Sequence, residues 1–185
     1  MRGALAGALA AGIWSLQTPL DKRLFGVDYD DVELLGKALT RGRGWRPLGV
    51  AMHVGNGALF GAAYAGLSAR AAGAAPGWAL GTAAALVEHV AAWPLLAVTE
   101  RVHPARDELP RVATSPRAFL QATWRHALFG AILGAVEERL NRPRDAASEE
   151  RDDASAEVDE TLAPWVSRNG HGDIRRAASE QAADS

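Results

Sequence analysis

Four stretches of this chain are long and almost free of charge, and nothing else in it restricts the fold so strongly. They are Gly3 to Leu20, Pro47 to Ala69, Ala75 to Thr99, and about Pro116 to Val136. The hydrocarbon core of a bilayer takes about 17–25 residues of helix, and each stretch meets that length. None has the polar stripe that a helix on the surface of a soluble bundle needs. The runs Gly57–Leu67 and Trp78–Val87 hold almost no polar residue. The expected fold is all-α: an integral membrane four-helix bundle with helices at about 3–20, 47–69, 75–99 and 116–139. The competing reading is a soluble, Ala-rich helical bundle. The Ala and Gly content makes insertion marginal, because Ala is far less apolar than Leu or Phe.

Charge divides the chain in two. Residues 142–185 carry 6 basic and 11 acidic residues, and residues 1–141 carry 14 and 11. The expected domains are therefore a membrane domain, 1–141, and an acidic disordered tail, 142–185, which is too poor in aliphatics to order itself. Leu162 to Val166 is its only sticky patch. Arg175-Arg176-Ala177-Ala178-Ser179 matches a basic-directed phosphorylation pattern that short sequences often show by chance. The formal net charge of −2 gives no case for a nucleic-acid partner. The absence of Cys excludes disulfides, thiolate metal sites and a Cys nucleophile. A signal peptide at the start is not expected, since Arg2 alone is a poor basic region and the apolar stretch is Ala/Gly.

Each segment carries a pair of glycines four apart: Gly3/Gly7, Gly57/Gly61, Gly77/Gly81 and Gly130/Gly134. In lipid, helices associate by close packing, and glycine lets two backbones approach. The pairs also repeat. His53-x3-Gly57-x3-Gly61 returns as His126-x3-Gly130-x3-Gly134 at an offset of 73, and Gly3-x3-Gly7 returns as Gly77-x3-Gly81 at 74. Pro19 and Pro94 follow at 75. The chain reads as two tandem helical hairpins in parallel orientation.

The loops differ in kind. Between Asp21 and Arg46, Asp30 or Asp31 can cap a short helix through about Arg41, stopped by Gly42. Val32, Leu35, Ala38 and Leu39 share one face, which suits either an interfacial helix on headgroups or a helix packed on a neighbour. Arg70 to Ala74 is a tight turn around Gly73, and Ser115-Pro116 reads as an N-cap followed by the first helical residue. Lys and Arg counts put the two long loops in the cytoplasm and both termini outside. Tyr29, Trp45 and Phe119 at one level, with Trp78 and Tyr64 at the other, form a rough aromatic belt.

Polar residues at membrane depth are costly and so informative. Here they are His53, Asn56, Glu88, His89, Arg125 and His126. At about 1.5 Å of rise per residue, His53, Glu88 and His126 fall roughly 9–16 Å below one surface. One cluster is expected, with Arg125 snorkelling or paired to Glu88. Four uses compete: hydrogen-bonded glue between helices; a proton or ion path through Glu88, His53 and His126; a divalent metal on His53, Glu88, His89 and His126; or haem between His53 and His126. No Gly-x-Ser-x-Gly, Walker loop or His-Glu-x-x-His occurs, so enzyme chemistry is not expected.

Residues 50–140 resemble the YagU-type bacterial inner-membrane proteins. The matching features are His53 with small residues and Tyr64; Gly77-x3-Gly81 leading to Glu88-His89 and Pro94; and His126 with Gly130 and the exit Glu137-Glu138-Arg139-Leu140. Loop three departs from that family in lacking an aromatic Pro-Trp stretch. The resemblance implies a multi-pass protein of the bacterial plasma membrane and no particular chemistry. The expected role is non-enzymatic: structural, transport-assisting or stress-related, with the bilayer as partner. Conduction by so thin a bundle would require a homo-oligomer. The alternative role is a haem- or metal-binding redox protein using His53 and His126.

Overall fold

A computed structural model of the chain describes residues 1–71 and 73–142. The chain divides into Met1–Asn141 and Arg142–Ser185. The acidic tail and its patches lie outside the described residues. The first unit is all-helical: α1 (Arg2–Phe25), α2 (Asp31–Leu39), α3 (Trp45–Ser68), α4 (Gly77–Ala92), α5 (Leu95–Val102) and α6 (Pro116–Asn141).

The glycines decide how the long helices meet. In the α1–α3 crossing, Gly3 faces Gly61 and Gly7 faces Gly57, and a Cβ on Gly57 would lie 2.7 Å from the Gly7 carbonyl oxygen. In the α4–α6 crossing, Gly77 faces Gly134 and Gly81 faces Gly130, and a Cβ on Gly81 would lie 2.9 Å from the Gly134 nitrogen. All eight predicted packing glycines therefore sit where two backbones touch. The pairing follows the sequence repeat, with α1–α2–α3 answered by α4–α5–α6. A third close crossing was not foreseen. Gly36 of α2 meets the Trp45 backbone, and Gly49 of α3 meets that of Val32. The short helix after the first loop is thus seated on α3 through backbone, with Leu39 exposed.

Local signals set the ends. Asp30 is the N-cap of α2, accepting from the Val32 and Glu33 amides at 3.0 and 3.4 Å. The helix stops at Leu39, before the expected Arg41, because Thr40 is extended. Gly26 closes α1 in the left-handed region, where a side chain would be strained. Ser115 caps α6 by accepting from the Ala118 amide at 3.3 Å.

Two expected helices change. The first was ended at Leu20, but α1 continues through Pro19 to Phe25. The third, expected unbroken over 75–99, breaks at Trp93–Pro94 into α4 and α5, which meet at a 52° bend. Pro94 has no amide to donate and its ring crowds the preceding turn. The turn after Pro19, by contrast, carries Asp21, which α6 anchors. Among the described residues, no single helix is long and apolar enough to cross a membrane; α4 with α5 passes as a bent pair, by length and composition.

The distribution of polarity is inverted. The largest side chains wholly inside include Arg125, Gln121 and Asp21 alongside Leu133. Much of the remaining interior is Ala: Ala6, Ala10, Ala11, Ala85 and Ala122. Outside, Leu5, Leu9, Leu16, Leu20 and Leu24 form an exposed stripe along α1, and Leu16 is 82% exposed. Leu95, Val98 and Val102 do the same on α5. The aromatic belt is only partly kept. Trp78 is exposed, whereas Tyr64 and Tyr29 are buried, Tyr64 donating to the Gly77 carbonyl at 3.1 Å.

Candidate functional site

The polar residues fall into two adjoining groups, and Asp31 of the first lines the same cavity as the histidines His53 and His126 of the second. The first is centred on Arg125. Its Nε and one terminal nitrogen donate to the two Asp21 oxygens at 2.7 and 2.6 Å. Its other terminal nitrogen reaches Asp31 at 2.9 Å, and the Tyr29 carbonyl accepts at 2.9 Å. Gln17 and Gln121 also donate to Asp21, at 2.6 and 2.7 Å. A charge this deep survives only when paired and fully hydrogen-bonded. The expected Arg125–Glu88 pair does not form. Glu88 leaves α4 on another side, while Asp21 stands directly across the α1–α6 seam.

Asp31 and Tyr29 lie in the loop side of this group. Burial would raise the Asp31 carboxyl, but the Arg125 guanidinium, with help from His53 and the Tyr29 hydroxyl, holds it below the ordinary carboxylate range. Burial first, then the Asp31 carboxylate, pushes the Tyr29 hydroxyl well above its ordinary value. Asp21, Asp31, Gln17 and Gln121 were not singled out by sequence. A usable signal existed: Gln17/Asp21 and Gln121/Arg125 are each four apart, so each pair shares one helix face.

The second group holds the histidines. The Trp14 ring meets His53 at 5.0 Å and His126 at 4.8 Å between centroids, edge-on to both. His89 stacks on His126 at 4.6 Å and contacts Phe119 at 4.8 Å. His126 donates from Nδ1 to the Ala122 carbonyl at 2.7 Å, which turns Nε2 toward Glu88 at 3.2 Å. A hydrogen bond across that gap needs one proton between the two groups. Thr123 gives its own proton to the Phe119 carbonyl at 2.8 Å, so His89 Nε2, 3.0 Å from the Thr123 hydroxyl, is the donor there. His53 is 8% exposed, and its Nε2 has no hydrogen-bond partner.

The expected cluster is therefore assembled for His53, Glu88, His89 and His126, and Asn56 joins it at the edge of a cavity. Among the described residues, no three His, Asp or Glu groups converge as metal ligands. Trp14 stands against both His53 and His126.

The cavity has a volume of about 250 Å³ and is lined by His53, Asn56, Glu88, His126 and Asp31, with Trp14 and Phe60 among its apolar walls. The repeat explains its position. Trp14 corresponds to Glu88 at the offset of 74, and Asn56 to Phe129 at 73. In the α1–α6 seam the large Trp14, His126 and Phe129 pack together, with Trp14 and Phe129 at 6.0 Å. In the matching α3–α4 seam the corresponding positions hold Glu88, His53 and Asn56. Those helices touch only sparsely. Where aromatic rings close one seam, smaller polar groups leave the other open.

The chain matches no family model, no curated protein and no solved structure.

Proposed function

We propose that this chain is a small, non-enzymatic integral membrane protein of the bacterial plasma membrane, which holds a solute at the open α3–α4 seam and so assists transport. The carrying observation is the inverted polarity. A soluble bundle buries Leu and Val and exposes Arg, Asp and Gln. Here Arg125, Asp21 and Gln121 are enclosed while the Leu stripe of α1 faces outward. From Leu5 to Leu24 that stripe runs about 28 Å at 1.5 Å per residue, against about 30 Å of hydrocarbon.

The low overall hydropathy of each helix is compatible with this reading. The eight paired glycines and the buried alanines Ala6, Ala10, Ala11, Ala85 and Ala122, which lower it, face the helix packing, where lipid does not reach. The face that lipid would meet is richer in Leu and Val than the helix as a whole. α2 and the segment after α5 then form a polar cap at one membrane surface, and the resemblance of residues 50–140 to YagU-type proteins points to the same compartment. Conduction would need more than one copy, since four thin helices enclose no continuous pore.

The test is fractionation of the expressed full chain. Membranes are washed with alkaline carbonate and then extracted with detergent. The expected result is a protein that stays in the washed pellet and enters solution only with detergent. Recovery in the detergent-free supernatant sinks the membrane reading.

A further inference from the structure

A polar cavity and an apolar groove adjoin at Phe60 in the open seam. Phe60 lines the polar cavity and also an apolar groove of about 480 Å³ between α3 and α4, whose walls include Tyr64, Leu67, Leu80 and Val87. Along α4 the two alternate by one helical step, Ala84 and Val87 facing the groove and Ala85 and Glu88 the cavity. A ligand that fills both needs an apolar chain attached to a small polar head.

The charges select the head. Arg125 is already shared between Asp21 and Asp31, so that group keeps an excess of one negative charge. Glu88 lines the cavity as a further carboxyl group, 3.2 Å from His126 Nε2. No Lys or Arg lines the cavity. Asn56 offers an amide oxygen, and Asp31 lines the same cavity. Trp14 and Phe60 supply ring faces that attract cations. An anion would find no donor charge there.

We propose that the α3–α4 seam binds a protonated long-chain alkylamine, with its ammonium group in the cavity of Glu88, Asn56 and His53 and its chain in the groove beyond Phe60. The ammonium N–H groups donate to the Glu88 carboxylate and the Asn56 oxygen. The proposal deepens the solute-holding reading above and rests on membrane placement only for the route of entry, sideways from the lipid.

Isothermal titration of the purified full chain with decylammonium tests it, against detergent blanks and with decanol and decyl sulfate as uncharged and anionic comparators. Saturable binding of decylammonium is expected, at least about tenfold tighter than either comparator. Glu88→Gln is expected to weaken it by at least about tenfold while leaving the melting temperature unchanged. Ala83→Phe, which fills the groove from its rim, is expected to abolish it without touching the head site. Equal binding of decyl sulfate, or full affinity in Glu88→Gln, overturns the proposal. If fractionation shows a soluble protein, the same titration runs in plain buffer, so the two readings fail separately.

Discussion

Arg125 and Asp21 face each other through two hydrogen bonds of 2.6 and 2.7 Å, and neither side chain has any exposed surface. The two residues are 104 positions apart in the chain. Their pairing ties α1 to α6 and so joins the two halves of the repeat. Removing Arg125 alone leaves a buried carboxylate without its counter-charge. Arg125→Met is therefore expected to destabilise the protein by about 3–5 kcal/mol. Adding Asp21→Leu should recover most of the loss, because Asp31 keeps a side exposed. Denaturant unfolding in detergent measures both, and an unrecovered double variant would show that the ion pair is not the principal joint.

The glycine crossings make a contrast within one residue type. A methyl group on Gly81 would lie 2.9–3.0 Å from Gly134 backbone atoms, and closer still to the Gly130 carbonyl oxygen. Gly12 and Gly55 meet nothing within 4 Å. Gly81→Ala is expected to cost about 1–3 kcal/mol through overpacking. Gly12→Ala and Gly55→Ala should instead stabilise, by up to about 1 kcal/mol of helix propensity. Melting temperatures decide this, and equal shifts at all three positions would remove the crossing from the account.

Asp31 gives a pH dependence with a definite sign. Its folded-state pKa is depressed, chiefly because Arg125 outweighs the burial that opposes it. Its stabilisation is therefore complete above the ordinary carboxylate value of about 3.9 and is lost as pH falls through the lower folded-state value. Wild type should lose more stability than Asp31→Asn between pH values of about 5 and 2. Parallel acid-unfolding curves for the two would contradict it.

Glu88 is held less firmly than its depth in the sequence suggests. Its side chain is 45% exposed, and its ionic partner among the described residues is His126 at 3.2 Å. Glu88→Ala is expected to cost no more than about 1 kcal/mol, far less than Arg125→Met. A loss comparable to that of Arg125→Met would mean that Glu88 is a structural keystone rather than the wall of a binding cavity.

The Leu stripe of α1 separates lipid from water as its surroundings. Leu16→Lys near its middle should reduce membrane accumulation sharply, since Lys at the centre of a span costs about 2.5–3.5 kcal/mol. On a water-facing helix the same change would be neutral. Immunoblots of washed membranes give the answer, with Lys at the exposed loop position Gly42 as the control.

Much of the architecture was legible as sequence because it depends on local identity and spacing. Glycines four apart place two backbone-free patches on one helix face, and their return at offsets of 73 and 74 gave the tandem hairpins. Asp30 as an N-cap and Ser115-Pro116 as a helix start are likewise chemistry within one turn. The histidines and Glu88 were found because polar groups in apolar runs stand out.

What only the tertiary structure decided is which of these groups meet. Asp21 stands one residue past the apolar segment that ends at Leu20, at the start of the expected first loop. It becomes the partner of Arg125 because α1 continues one more turn and α6 crosses it there. Pro19 and Pro94 match in the repeat, yet only Pro94 breaks its helix, because only the turn after Pro19 is anchored by a buried ion pair. The open seam has the same origin. Trp14 and Glu88 are equivalent by spacing, and the difference between a closed and an open interface appears only when their sizes are set against the helices they face. Spacing along one helix is fixed by 3.6 residues per turn, whereas a contact across 104 residues depends on how every intervening element packs.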